Sequence, residues 1–273
     1  MNARLPKAWL SRAAACAALA LVAACHAAPG PRLLPRPENG AAPGTVLLPP
    51  GYDPGRTYAV VEILPATGST AATLLQMYVV SVGLGRLAHD PPERQLAALW
   101  PFLFPDGGAR RDFIVVLAHG RGSAADYRTA AAWSATIARY ERQVVADLRA
   151  VADRYRVDPA RFAVAGFSLG GDLSWALALR NPRLLHGAIA MASRVTYRPE
   201  GNVFAPELRR SRFFQTMGTA DEAERQRLAR AAADVLEREG IEHRFRAIPG
   251  GRHEPAPIAT FAEALDFVLR RDR

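Results

Sequence analysis

Ser168 is the residue of this sequence whose surroundings are best suited to covalent chemistry. It lies in a G-x-S-x-G pattern with Gly166 and Gly170, between apolar runs at Phe162–Ala165 and Leu173–Leu179. The first run predicts a short buried strand and the second a helix, so Ser168 falls in a sharp strand-to-helix turn. Glycine on either side lets the two backbones approach and holds the serine in a strained conformation with its hydroxyl exposed. The pattern predicts a nucleophile, and the alternative is an ordinary glycine-rich turn.

A serine hydroxyl needs a base to take its proton as it attacks, and His253 is the candidate. It lies in a glycine-rich turn after a predicted strand. Asp221, also in a turn after a predicted strand, is the candidate acid that would orient the imidazole and stabilise its charged form. Glu222 is the alternative acid, because Asp221 could instead cap the helix that follows.

Three stretches together resemble one superfamily: Leu47–Leu64, the turn around Ser168, and Pro249–Glu254. They are similar to the α/β-hydrolases, nearest the esterase-D group that includes feruloyl-esterase-like enzymes. The resemblance covers residue 45 to the C-terminus. It implies an α/β-hydrolase fold, in which a mostly parallel central sheet has helices on both faces and the nucleophile, acid and histidine follow in the order found here.

The resemblance further implies a serine esterase that cleaves carboxylic esters through an acyl-enzyme, with a small-molecule ester as its substrate. One alternative is a serine peptidase or amidase of the same superfamily, although no segment resembles an additional propeller domain. The other is a non-catalytic binding protein on a hydrolase scaffold, which would require the loss of a triad member, whereas all three are present.

The oxyanion that forms during serine attack needs backbone N–H donors. One donor is expected from Leu169, at the start of the helix after Ser168, where unpaired amides and the helix dipole favour negative charge. The resemblance places a second donor in the loop that follows Leu64, where the family has a His-Gly-rich sequence. This chain has PATGS there, so Ala66 or Thr67 is the candidate.

A different His-Gly turn, at 118–123, follows the apolar strand Phe113–Leu117 and resembles a turn of phospholipase/carboxylesterase-like enzymes. Only one long helical region, 126–154, separates it from the nucleophile strand, whereas an oxyanion loop should be followed by another strand first. His119 is therefore predicted to form part of the pocket wall, at the carboxyl end of a strand. An oxyanion-loop role and a structural histidine are the alternatives.

The hydrolase domain is predicted over residues 45–273, with an enlarged segment at 70–111. That segment contains two apolar pieces separated by glycine and proline residues, more than an ordinary crossover needs. It is interpreted either as a lid or acyl-binding wall, or as helices that pack against the sheet.

The N-terminus predicts export. Basic residues precede the short apolar run Ala13–Ala24, so residues 1–24 are interpreted as a signal peptide, too short for a permanent membrane span. Leu21–Cys25 resembles a bacterial lipobox, and lipidation of Cys25 would anchor the protein to a membrane of the cell envelope. Ordinary cleavage at nearby small residues is the alternative. Residues 25–44 are rich in proline, glycine and alanine and are interpreted as a tether.

Composition excludes several function classes. The formal net charge is +9, but the arginines are scattered along predicted helices, which favours solvated helix faces over a nucleic-acid surface. Weak attraction to anionic lipids is the alternative. No metal-ligand spacing or phosphate-binding motif is present, so no metal or cofactor is predicted. The sequence specifies no oligomeric state. Asp172 is interpreted as a first-turn helix residue, and His186 and His243 as structural or exposed.

Overall fold

The computed structural model describes residues 32–33, 43–105 and 112–270. The predicted signal peptide 1–24, Cys25 and most of the predicted tether lie outside this part of the chain. One eight-stranded sheet with the order β1-β2-β4-β3-β5-β6-β7-β8 organises the fold. Its strands are β1 (Arg32–Leu33), β2 (Thr45–Leu47), β3 (Tyr58–Leu64), β4 (Phe113–Leu117), β5 (Val157–Phe167), β6 (Gly187–Met191), β7 (Arg212–Gly218) and β8 (Glu242–Ile248).

Helices cover both faces of this sheet. Strands β3 to β8 run parallel, whereas β1 and β2 pair antiparallel at one edge. The described helices are α1 (Ala72–Ser81), α2 (Pro92–Leu103), α3 (Ala130–Arg154), α4 (Leu169–Arg180), α5 (Ala223–Arg238) and α6 (Ile258–Leu269). Helices α3, α4 and α5 contribute to the core on one face, and α1, α2 and α6 to the core on the other. The predicted α/β architecture is confirmed.

The central strands are buried, and most of their residues are apolar on both faces. Every residue of β3, β4, β6 and β7 is buried, as expected of parallel strands enclosed between two helix layers. Neighbouring residues Val60 and Val61 illustrate the alternation, since they belong to opposite cores. None of the helices in the described residues has the length and hydropathy required to cross a membrane.

The described part of the enlarged segment, residues 70–105, packs against the sheet. Leu74, Tyr78 and Leu99 are buried in the same core as strand residues of β3 and β4. The ring of Tyr78 also stacks on Phe261 of α6, with centroids 5.2 Å apart. This arrangement favours the packing interpretation of the segment over the lid.

Two described parts of the predicted tether, residues 25–44, contact the folded domain. Arg32–Leu33 pairs with β2, and the buried Gly44 donates its N–H to both carboxylate oxygens of Asp147, at 3.0 and 3.1 Å. The physical reason is twofold. The short edge strand pairs with exposed backbone groups of β2, and the buried carboxylate of Asp147 requires a donor.

A strand and a helix also begin earlier in the chain than predicted. Strand β5 begins at Val157, and α4 begins immediately after Ser168 rather than at Leu173. Gly170 therefore lies inside the first turn of the helix, and Gly166 is part of β5. The consequence is that Ser168 occupies the junction between strand and helix with no intervening loop.

Candidate active site

Ser168 adopts a backbone conformation that L-residues rarely take, with φ 56° and ψ −120°. Close backbone packing imposes this turn. A Cβ on Gly166 would lie 2.7 Å from Gly170 Cα, and a Cβ on Gly170 would lie 2.5 Å from the carbonyl oxygen of Leu64. Both glycines are therefore required for the strand and helix to meet, and the strain is concentrated at the serine.

Ser193, at the carboxyl end of the neighbouring strand β6, holds this turn from the side. Its hydroxyl lies 2.7 Å from the carbonyl oxygen of Ser168 and 2.9 Å from that of Met191. The N–H of Ser168 donates to the same Met191 oxygen at 2.9 Å. A Cβ on Gly171 would overlap the Ser193 hydroxyl. Position 171 therefore has to be glycine as long as Ser193 keeps this position.

The structure brings Ser168, His253 and Asp221 into one hydrogen-bonded line. His253 Nε2 lies 3.0 Å from Ser168 Oγ, and His253 Nδ1 lies 3.0 Å from Asp221 Oδ2. Asp221 is buried and its other oxygen accepts the N–H of Glu222 at 2.7 Å. This network assigns the neutral tautomer in which Nδ1 donates to the carboxylate and Nε2 accepts from the serine hydroxyl.

Glu222, the alternative acid, occupies a different position. It is the N-cap residue of α5, where no side chain caps the helix. Its side chain is 67% exposed and faces Arg225 at 3.6 Å. The geometry therefore supports Asp221 rather than Glu222 as the partner of His253.

The turns that carry Asp221 and His253 pack backbone against backbone. Ala220 donates its N–H to the carbonyl oxygen of Gly251 at 2.8 Å. A Cβ on Gly218 would lie 2.6 Å from the carbonyl oxygen of Arg252. Because β7 and β8 are parallel neighbours, the turns at their carboxyl ends lie side by side at the same edge of the sheet.

Three predicted oxyanion donors border the cleft beside Ser168. Ala66, Thr67 and Leu169 all line it, and within the described residues none of their N–H groups donates to another backbone group. Gly68 and Gly122 hold the loop of Ala66 and Thr67, since the N–H of Gly68 donates to the Gly122 oxygen at 2.8 Å. The loop after β3 thus presents free donors next to the start of α4, as an oxyanion site requires.

His119, the predicted pocket-wall residue, lies outside the cleft that contains Ser168. His119 is exposed and is not among the residues that line that cleft. The sheet order explains the difference, because β3 lies between β4 and the nucleophile strand β5. The carboxyl end of β4 is consequently one strand too far from Ser168, although its turn supports the oxyanion loop through Gly122.

The cleft encloses about 300 Å³ and is open to solvent. Phe167 forms one wall and packs on the ring of His253, with centroids 5.0 Å apart. The complete lining is Ala66, Thr67, Tyr127, Phe167, Ser168, Leu169, Asp172, Arg194, Arg225 and His253.

Asp172 was interpreted only as a helix residue, and the structure adds a second role. Its carboxylate accepts the N–H of Val195 at 2.7 Å, which ties α4 to the loop after β6. Ala192 and Val195 in that loop have φ of 48°. Burial raises the pKa of Asp172 to about 6, an effect that its backbone donors and the charges of Arg194 and Arg225 oppose.

Sequence reasoning missed Arg194 and Arg225 as lining residues. Arg225 Nε lies 3.5 Å from Asp221 Oδ1, and the i,i+4 spacing from the predicted acid was a usable signal. Nothing local in the sequence marked Arg194, whose position depends on the loop after β6. Within the described residues, no cluster of His, Cys, Asp and Glu has the arrangement of a metal site.

Comparison with known proteins supports this fold. The model of the Prolyl oligopeptidase family matches residues 105–199, a stretch that includes Ser168. A ferulic acid esterase from Anaeromyces mucronatus, solved in complex with ferulic acid, is 18% identical with a TM-score of 0.57, over 83% of this chain and 84% of that chain. A thermostable esterase is 16% identical with a TM-score of 0.57, over 86% of this chain and 59% of that one. No curated protein matches the sequence.

At these identities the solved structures show the fold, and the chain has the α/β-hydrolase fold. The family match covers the segment from the end of α2 to the loop after β6. Together the two comparisons support a hydrolase.

Proposed function

We propose that this protein is a serine hydrolase that cleaves carboxylic esters through an acyl-enzyme. The observation that carries the proposal is the hydrogen-bonded line from Ser168 through His253 to Asp221, with both links at 3.0 Å. A serine in a strained strand-to-helix junction, beside free backbone donors, adds to it. The catalytic roles of these residues follow from the general chemistry of a serine nucleophile.

In the acylation step, Ser168 Oγ attacks the ester carbonyl carbon while His253 Nε2 takes the hydroxyl proton. The negative charge moves to the carbonyl oxygen, where the N–H of Leu169 and that of Ala66 or Thr67 stabilise it. Asp221 stabilises the imidazolium that forms. Collapse of the tetrahedral intermediate breaks the bond to the alcohol oxygen, which receives the proton from His253. Water then repeats the sequence on the acyl-enzyme and releases the acid.

A serine peptidase or amidase is the second candidate, and the match to the Prolyl oligopeptidase family favours it. The same residues would then protonate an amine leaving group. The difference lies in substrate binding, because amide cleavage demands more precise placement of the leaving nitrogen for protonation.

The experiment compares the full-length protein with its Ser168→Ala variant. Substrates are 4-nitrophenyl acetate, butyrate and octanoate for esterase activity and dipeptide 4-nitroanilides for peptidase activity, and a fluorophosphonate probe labels the nucleophile. Ester turnover and labelling that are both lost in Ser168→Ala are expected. Turnover of anilides above esters would establish the second candidate. A folded protein that neither turns over substrate nor accepts the probe would refute both.

We also propose that the protein is exported and held at the cell envelope by lipid on Cys25, which lies outside the described residues. Support comes from the sequence of residues 1–25 alone. Mass spectrometry of the mature N-terminus tests this directly. A diacylated Cys25 is expected, and a free N-terminus at a neighbouring alanine would contradict it.

A further inference from the structure

The cleft beside Ser168 contains two guanidinium groups that the proposed reaction does not use. Arg194 follows β6 and Arg225 lies in the first turn of α5, and both line the cleft together with Ser168 and His253. The charges of both arginines act on Asp172. An ester bound at the serine would therefore share a space of about 300 Å³ with two positive charges.

Arg225 is held in place but retains unused hydrogen-bonding capacity. Its side chain is 13% exposed and lies 3.5 Å from Asp221 and 3.6 Å from Glu222, distances longer than good hydrogen bonds. Its Nε is shielded from solvent and has no hydrogen-bond partner among the described residues. Because Nε is shielded, an acceptor in the cleft would reach this guanidinium through its terminal N–H groups.

The side chain of Arg194 forms no salt bridge within the described residues. Its guanidinium lies over the ring of Tyr127, 5.6 Å from the centroid. The carboxylate of Asp172 accepts the backbone N–H groups of Arg194 and Val195, and it interacts with the guanidinium of Arg194 through charge alone. The aromatic contact orients the guanidinium while its N–H donors remain available to a ligand.

From these contacts we propose that Arg194 and Arg225 form an anion subsite, and that the preferred substrates are esters that carry a carboxylate. This inference rests on the proposed ester hydrolysis. A carboxylate presents two acceptor oxygens in one plane, which match the forked donors of a guanidinium. Because the side chain of Arg225 is largely shielded from water, an ion pair there is screened less than one on an open surface.

The test compares pairs of esters that differ only in charge. Mono-4-nitrophenyl adipate and its methyl ester place the charge on the acyl side, and 4-acetoxybenzoate and 4-acetoxybenzamide place it on the alcohol side. The full-length protein is expected to favour one anionic member by roughly ten- to hundred-fold in kcat/KM. This preference should fall as the salt concentration rises.

Arg194→Gln is the test variant, because Arg225 also contacts Asp221 and its replacement would disturb the triad. The ratio of anionic to neutral kcat/KM is expected to fall about ten-fold in Arg194→Gln. Arg227→Gln is the matched control, because Arg227 is an exposed arginine of α5 that binds Glu224. Its ratio should equal that of the unmodified protein.

The outcomes separate this inference from the proposed function. Hydrolysis of neutral and anionic esters with equal kcat/KM would overturn the anion subsite and leave the esterase proposal intact. Absence of both turnover and fluorophosphonate labelling would overturn the esterase. In that case calorimetry with adipate on the Ser168→Ala protein decides the subsite, since binding that Arg194→Gln abolishes supports it and no binding overturns it.

Discussion

Glu62, in the middle of β3, is predicted to make the stability of this protein depend on pH. It is fully buried, it faces Asp147 of α3, and within the described residues neither of its carboxylate oxygens has a hydrogen-bond donor. Burial raises the pKa of Glu62 well above 4.5, and the negative charge of Asp147 raises it further. Burial also raises the pKa of Asp147, but the N–H of Gly44 and the contact with Glu62 partly offset that rise. Glu62 therefore holds the proton of the pair.

The sign of the effect follows from proton binding. Above pH 4.5 the unfolded chain releases this proton while the folded protein keeps it, so the free energy of unfolding falls as the pH rises. Linkage limits the loss from one retained proton to about 1.4 kcal/mol for each pH unit. Glu62→Gln removes the titration and preserves the size and shape of the side chain. The stability of the variant relative to the unmodified protein should thus increase as the pH rises from 4.5 to 8.

Urea unfolding between pH 4.5 and pH 8, followed by tryptophan fluorescence, measures this difference. Trp175 is fully buried against Phe213 and reports on the core. Glu239→Gln, an exposed position at the end of α5, is the control and should give a curve parallel to that of the unmodified protein. Parallel curves for Glu62→Gln would refute the reasoning, because they would mean that Glu62 ionises equally in the folded and unfolded states.

Three further predictions concern the candidate active site. Asp221→Asn should lower kcat about 10⁴-fold with little change in the thermal unfolding temperature, because an amide favours the wrong tautomer of His253. Gly170→Ala should destabilise the fold by more than about 2 kcal/mol in urea unfolding, because the added Cβ would lie 2.5 Å from a carbonyl oxygen of β3, whereas Gly85→Ala, with its nearest contact at 3.9 Å, should be tolerated. Ser193→Ala should cost about 1 kcal/mol of stability and reduce kcat more than KM changes, because the hydroxyl fixes the carbonyl of the nucleophile.

Each of these predictions has a result that would contradict it. Activity retained in Asp221→Asn would mean that another group orients the histidine. Equal stability of Gly170→Ala and Gly85→Ala would show that the strand and helix can separate without cost. A change confined to KM in Ser193→Ala would place its effect on substrate binding instead of on the position of Ser168.

Much of the scaffold was predictable because its signals are local. Unbroken apolar runs mark buried parallel strands, and β4 has the predicted limits, Phe113–Leu117. Glycines on both sides of Ser168 mark a tight junction without reference to distant residues. The order of Ser168, Asp221 and His253, each after a strand, was also visible in the sequence.

Other features depend on which strands are neighbours, and periodicity carries no information on that. The sheet order separates His119 from the cleft and brings the loop of Ala66 beside Leu169. The pairing of Arg32–Leu33 with β2 arises from an edge that exists only in the folded sheet.

The sequence by itself therefore identified the candidate catalytic residues: a serine in a tight turn, with an acid and a histidine after later strands. Only the tertiary structure decided which ionisable side chains are neighbours. It places Glu62 near Asp147 in the core, and Arg194 and Arg225 near Asp172 at the cleft. The physical reason is that a local pattern reports backbone conformation and burial, whereas electrostatic interactions depend on distances between side chains that are far apart in the chain.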